Sequence, residues 1–364
     1  ANGFALAYGG EWLALDDGHR EGSATVDSSQ WRLYTKGHNT LLVDGQGQYG
    51  ENMTNSRWPT TTAYNNQGIR DFLDIGSLAY FKSDAAASYS LLSTFNRHVI
   101  YIRPATVVML DEISSNRRRT YDWLLQTADT ARLDVVSPAE VLITGENTGM
   151  AVAFAEPDNV TLKSSNTSGH WIFSNNLPSF DVPQLTARTA SRNARYFVGL
   201  VPYNRSDPTA MATVSTAAYS AITVTDYVYV NTVVFNKQAS AVHDGIVTNG
   251  VLAARSMRGT LLSSALVVNG TLLVIDGQRL MFSQRRVTAA LSYENDTLSA
   301  SITSDGATVI TLATNGIAPS TVFFNGKSVP YTLQSSTIMF VATDDGCLSV
   351  NTDTCGASFL DPAP

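Results

Sequence analysis

The runs TVVMLDEI (Thr106–Ile113) and YDWLLQTA (Tyr121–Ala128) decide the class of fold. Both are rich in β-branched and aromatic residues, both are too short for a core helix, and neither keeps a 3.6-residue apolar period. Working outward, the same texture returns in ARYFVGLVP (Ala194–Pro202), YVYVNTVVF (Tyr227–Phe235) and GTLLVIDG (Gly270–Gly277). Turn residues fall between the runs. TVFFNGKSVPYTL sets Asn325-Gly326 between two strands, the strongest short hairpin signal. VTAALSYENDTLSASITS turns at Asn295-Asp296, and VLITGENTGMAVAFA turns between Gly145 and Gly149. Only SDAAASYSLL (Ser83–Leu92) reads as helix. The chain is expected to be all-β, a large antiparallel β-sandwich followed by a smaller C-terminal β-sandwich portion.

The Pro-, Ser- and Thr-rich stretch NRSDPTAMATVSTA, beginning at Asn204, marks the expected boundary. It separates a domain over residues 1–206 from a second over 207–364. Residues 1–203 hold four of the five histidines and all five tryptophans, so chemistry is expected there.

Composition narrows the partners. At 44% hydrophobic and 15% charged, the 364 residues can bury a large core. A net charge of −7 argues against nucleic acid and anionic membranes as partners, while leaving room for an acidic polysaccharide met by a local basic groove. No apolar run approaches the ~20 residues of a membrane span. Asn-x-Ser/Thr triplets at Asn52, Asn159, Asn166, Asn204, Asn269 and Asn295 suggest N-glycosylated surface loops. Cys347 and Cys355 are the two cysteines, close enough for a small-loop disulfide. Together these features read as a secreted, extracellular protein, either a mature form or a processed piece.

The first half carries the candidate chemistry. GFALAYGGEWLALDDGHREGS ends a strand in an Asp16-Asp17-Gly18 turn. WRLYTKGHNTLLVDGQGQYG then places Gly37-His38-Asn39-Thr40 before an apolar strand and Asp44-Gly-Gln-Gly-Gln48. FNRHVIYIRPATVVMLDEIS, the Trp-Leu-Leu strand and the late Phe-Val-Gly-Leu-Val-Pro strand follow. This ordered set resembles the β-sandwich domain of the heparinase II/III-like polysaccharide lyases over about Gly3 to Tyr203.

The resemblance implies β-elimination at a uronic acid. In that reaction the sugar carboxylate is neutralised, a base takes the C5 proton, and an acid protonates the leaving oxygen. It implies catalytic roles for His38 and Asn39, and substrate contacts from Arg97 and Tyr101. It also implies one divalent metal (Ca, Mn or Zn) on His38, Asp84 and Gln126. Gln126 stands where the family has histidine, and an amide oxygen suits zinc poorly. The family's base and acid come from an N-terminal α/α-toroid, a domain or chain partner for which these 364 residues show no helical periodicity.

Each residue also has a structural reading. His38 could cap a turn, Asp84 could be solvated, and Gln126 could bond to nearby backbone. His98, Tyr89 and Tyr101 could pack in the sheet. His19 reads as a loop residue. Arg117-Arg118-Arg119 reads as a solvated hairpin tip, with acidic-glycan contact as the alternative. Two further functions stay open. One is a non-catalytic extracellular protein that self-assembles through strand edges. The other is a glycan-binding module stacking sugars on Trp31, Trp58 and Trp171.

Overall fold

The computed structural model describes residues 2–16, 34–49, 68–169, 180–226, 228–294, 296–325, 327–343 and 345–351. It is almost entirely antiparallel β-structure; among the described residues the helical elements are two three-residue 3-10 turns, Thr35–Gly37 and Ala86–Ser88. No helix among these residues is long and apolar enough to cross a membrane. The chain divides into two compact units. One comprises Ala1–Arg70, Lys82–Val99 and Val107–Met211; the other comprises Asp71–Phe81, Ile100–Thr106 and Ala212–Pro364.

β1 (Leu6–Tyr8) and β2 (Glu11–Ala14) form a two-stranded sheet of their own, and β3 through β12 build the first large sheet. Its members are β3 (Leu41–Val43), β4 (Gly68–Asp74), β5 (Leu78–Asp84), β6 (Thr94–Ile102), β7 (Thr106–Gln126) and β8 (Arg132–Ser137). They are completed by β9 (Glu140–Thr144), β10 (Thr148–Glu156), β11 (Thr161–Gly169) and β12 (Phe180–Asn204). The ladder runs β4-β5-β6-β7-β12-β10-β9-β8, with β3 added to β7 and β11 added to β12.

Two strands make this sheet fold over itself. β7 and β12 pair from Leu200↔Val107 to Asn193↔Ser114, then slip, and resume from Ser191↔Arg119 to Gln184↔Gln126. Residues 115–118 therefore bulge opposite Arg192, and a bulge of that size bends both strands sharply. The bend brings distant residues of one strand face to face. Trp123 Nε1 donates to Asp111 Oδ2 (3.1 Å), and the Tyr196 hydroxyl donates to the carbonyls of Tyr121 (2.9 Å) and Ala187 (3.0 Å). Trp123 meets the edge of Phe154 with centroids 5.5 Å apart. The fully buried Leu41, Leu125, Val152, Leu185 and Val198 fill the space between the layers. Burying each such side chain stabilises by about 1.5–3 kcal/mol.

The second sheet begins with β13 (Ala210–Ser215), β14 (Tyr219–Thr225), β15 (Tyr229–Asn236), β16 (Ala241–His243) and β17 (Ile246–Thr248). It continues through β18 (Leu252–Arg258), β19 (Leu261–Ile275), β20 (Gln278–Glu294), β21 (Thr297–Ser304) and β22 (Thr308–Ala313). The same device recurs here. β19 pairs with β18 along one half and β17 along the other, while β20 pairs with β21 and then β22. The register of β19 on β20 breaks around Gly270. A Cβ there would lie 2.6 Å from Val267 Cγ2 and 2.9 Å from Gly250 Cα, so glycine is what permits the close approach. The hairpin at Asn325 forms as expected, with Phe324 opposite Lys327.

Two sequence expectations change. The helix expected from Ser83 to Leu92 is instead the end of β5 followed by the 3-10 turn Ala86–Ser88. Asp84 Oδ1 accepts the Ala86 N–H (2.9 Å), and this local bond competes with a helix start. Burial of Tyr89 then fixes the chain: its hydroxyl donates to the Leu41 carbonyl (2.7 Å). The arginine run Arg117-Arg118-Arg119 is not a hairpin tip but the bend within a continuous β7.

Candidate functional site

The site grows from Asn39. The 3-10 turn Thr35–Gly37 delivers His38 in an extended conformation, after which β3 begins beside the end of β7. Asn39 is fully buried, and its amide is spent on backbone. Nδ2 donates to the carbonyls of Phe4 (2.8 Å) and Leu15 (3.2 Å), while Oδ1 accepts the Gln126 N–H (2.7 Å). Leu15 N–H in turn donates to the Gln126 carbonyl (2.9 Å). These bonds sew the N-terminal segment to β3 and β7. They also fix Asp16, the next residue, against His38. Asp16 Oδ1 lies 2.5 Å from His38 Nδ1, with 25% of the Asp16 side chain and 29% of the imidazole still exposed. The result is a partly accessible imidazole with a fixed orientation.

Arg97 underpins this arrangement. Only 2% exposed, it forms a two-pronged ion pair with buried Asp111 (Nε–Oδ1 2.7 Å, Nη2–Oδ2 2.6 Å). Its Nη1 donates to the carbonyls of Asn2 and Asn39 (3.3 Å for the latter). The rings of Phe4 and Phe95 lie 5.4 and 5.7 Å from the guanidinium carbon. The expected substrate contact from Arg97 is therefore corrected to a buried positioning role. Ser83, donating to Asn2 Oδ1 (2.7 Å), ties the strand carrying Asp84 into the same network.

The remaining expected residues separate. Tyr101 belongs to the other unit, where its hydroxyl donates to the Pro104 carbonyl (2.8 Å). His98 is buried with Nε2 3.3 Å from Glu112 Oε2. Its hydrogen bond holds the Glu112 carboxyl below the usual range, against burial, which pushes it up. Burial pushes the Tyr89 phenol up to about 12, so it is no base at neutral pH. Asn159, Asn166, Asn204 and Asn269 are exposed. Asn52, Asn295, Cys355, His19, Trp31, Trp58 and Trp171 lie outside the described residues, and so does the pairing expected between Cys355 and Cys347.

Gln126 stands out chemically. It is 1% exposed, and both Nε2 and Oε1 lack a hydrogen-bond partner. Its neighbour across the ladder, Gln184, donates instead to the Lys36 carbonyl (2.9 Å). A divalent metal on His38, Asp84 and Gln126 meets a donor set that does not suit zinc. Among the described residues no three His, Cys, Asp or Glu side chains converge on one point. One Asp84 oxygen already caps Ala86, and the orphaned amide of Gln126 offers a hard oxygen where zinc favours imidazole.

Sequence reasoning missed Asp16 and Asp111. Asp16 read as part of a turn, and nothing local marks it as the partner of a histidine 22 residues away. Asp111 sat inside a strand pattern, where a lone acid opposite an arginine was the available signal.

An antiparallel β-sandwich domain thus carries a carboxylate-bound histidine just before β3, beside the end of its long strand β7. The sequence from residue 1 to 191, just over half of the 364, matches the model for the heparinase II/III-like C-terminal domain, and the chain belongs to that family. No curated protein sequence matches it.

Solved structures with a similar fold include a heparan sulfate lyase, HepC, from Pedobacter heparinus (13% identity, TM-score 0.49, 76% of this chain and 35% of that one). Another is heparinase III (15% identity, TM-score 0.48, 64% of this chain and 35% of that one). A third is a Streptomyces coelicolor A3 chondroitin AC lyase solved with chondroitin sulphate (11% identity, TM-score 0.43, 78% of this chain and 36% of that one). The chain thus spans about a third of the length of these proteins.

Proposed function

We propose that this chain is the β-sandwich part of a secreted polysaccharide lyase that cleaves uronate-containing glycans by β-elimination. The observation that carries the reading is the His38–Asp16 pair, a partly exposed imidazole held in one orientation on a buried Asn39. In the reaction the C5 proton passes to a base, the C4–O bond breaks, a C4=C5 double bond forms, and an acid protonates the departing oxygen. The C5 proton becomes removable only when the neighbouring carboxylate is neutralised. As an imidazolium held by Asp16, His38 supplies the neutralising positive charge, while an α/α-toroid domain or chain supplies the principal base and acid. Asn39 acts through position, since its amide bonds are all internal. No step runs through a metal.

Secretion, N-glycosylation and a Cys347–Cys355 disulfide belong to the same proposal. N-glycosylation draws support from the exposed sequon asparagines Asn159, Asn166, Asn204 and Asn269. The experiment is to incubate the toroid-containing protein with alginate and glycosaminoglycans and follow the ultraviolet absorbance of the unsaturated uronate. Product formation that disappears in His38→Ala is expected. Absence of product on every uronate polymer would sink the lyase reading.

A further inference from the structure

The bend of β7 and β12 exposes a cluster of cations that the His38 network does not use. Arg117, Arg118 and Arg192 are exposed, and none of them forms an ion pair among the described residues. Their neighbours are neutralised. Arg119 turns inward to Asp44 (2.8 Å), and Arg188 pairs with Asp122 (2.6 Å). The three that remain concentrate positive charge on a chain whose net charge is −7.

Their backbone is rigid. The Ser115 hydroxyl donates to the Arg117 carbonyl (2.6 Å), the Tyr121 hydroxyl donates to the Arg192 carbonyl (3.3 Å), and the two hydroxyls lie 2.8 Å apart. Ser115 and Tyr121 are both buried, so a hydroxyl pair inside the sandwich clamps the two arginine-bearing strands together. Arg192 Nε reaches back to the Ser115 carbonyl (3.4 Å). Guanidinium groups carried on a fixed backbone can fork onto carboxylate or sulfate oxygens.

We infer that this crest is a binding site for a polyanionic polysaccharide, engaging sulfate or carboxylate groups along the chain apart from the His38 cluster. The ligand class rests on the lyase reading above. Nucleic acid is the weaker match, because no aromatic side chain lies among the crest residues to stack a base.

The test measures the salt-dependent affinity of the full protein for heparin, alginate, neutral dextran and single-stranded DNA. Binding to heparin or alginate but not dextran is expected. The triple variant Arg117→Ser/Arg118→Ser/Arg192→Ser should weaken it by at least about tenfold. Arg118→Glu, at a side chain with no bonds to lose, should weaken binding with an unchanged melting curve. Arg132→Ser, removing an exposed arginine elsewhere, should leave affinity unaltered.

Unchanged affinity in both crest variants overturns the site, as does binding to neither polyanion or equal binding to DNA. His38→Ala keeps the two proposals distinguishable. It should retain polysaccharide affinity while losing elimination, so toroid-containing parent protein that binds without cleaving counts against the lyase reading alone.

Discussion

Asp16 Oδ1 sits 2.5 Å from Nδ1 of His38, and this contact fixes the orientation of the imidazole. With Nδ1 donating to the carboxylate, the imidazole is held in one orientation and its basicity is raised. Asp16→Asn preserves the shape but removes the charge that orients and polarises the ring. We expect it to lower the elimination rate about 10- to 100-fold with little change in KM, in protein carrying the toroid. Steady-state kinetics on the preferred polymer check this; a rate equal to that of the parent would reduce the pair to a structural contact.

Asn39 is predicted to matter for stability rather than chemistry. Asn39→Asp keeps the acceptor for Gln126 N–H but replaces two donated bonds with a carboxylate facing the Phe4 and Leu15 carbonyls. The cost should be roughly 3–5 kcal/mol, since a buried charge without a partner is created. Urea unfolding measures it. A small shift in midpoint would mean the amide is not the joint described above.

Gln126 should behave in the opposite sense. Because neither end of its amide is hydrogen-bonded, Gln126→Met removes a desolvated polar group and should stabilise by about 1–3 kcal/mol. Destabilisation would reveal a ligand or water that the amide holds. Gln126→His supplies the imidazole that a zinc site calls for. Elemental analysis after metal loading should find zinc retained by that variant and not by the parent.

Acid should unfold the protein by way of particular carboxylates. Glu112 is held low by the His98 hydrogen bond, and Asp44 by the Thr120 N–H and Arg119. A carboxyl whose folded pKa is depressed releases its proton more readily when folded. Its stabilisation is therefore complete above the unfolded values of 4.5 and 3.8 and is lost as pH falls below them. Melting temperature should fall as pH drops from 5 to 3, about two units, and the fall should be shallower in Glu112→Gln. An identical pH profile in the variant would remove Glu112 from this account.

Much of the β-structure was legible because it is local. Alternation marks the strands, and Asn325-Gly326 and the Asn295-Asp296 turn carry their own φ-tolerant residues. Asn325 and Asp296 do adopt positive φ. The helix expected over Ser83–Leu92 does not form because the burial of Tyr89 is a tertiary effect that no window of sequence contains. His38 was singled out through family likeness, whereas Asp16, Asp111 and the inward turn of Arg97 depend on the folding-over of β7. That bend has no local signature beyond a run of polar residues, which reads equally well as a hairpin tip.

The long strands also bear on how the sandwich comes apart. Since β7 and β12 run unbroken through both layers, neither layer owns a complete set of strands. Peeling one away would strip half the ladder from the other. Hydrogen exchange should therefore report a single opening event spanning Val107 and Leu125 alike, and a protease nick in residues 115–118 should loosen the whole body instead of releasing a folded half.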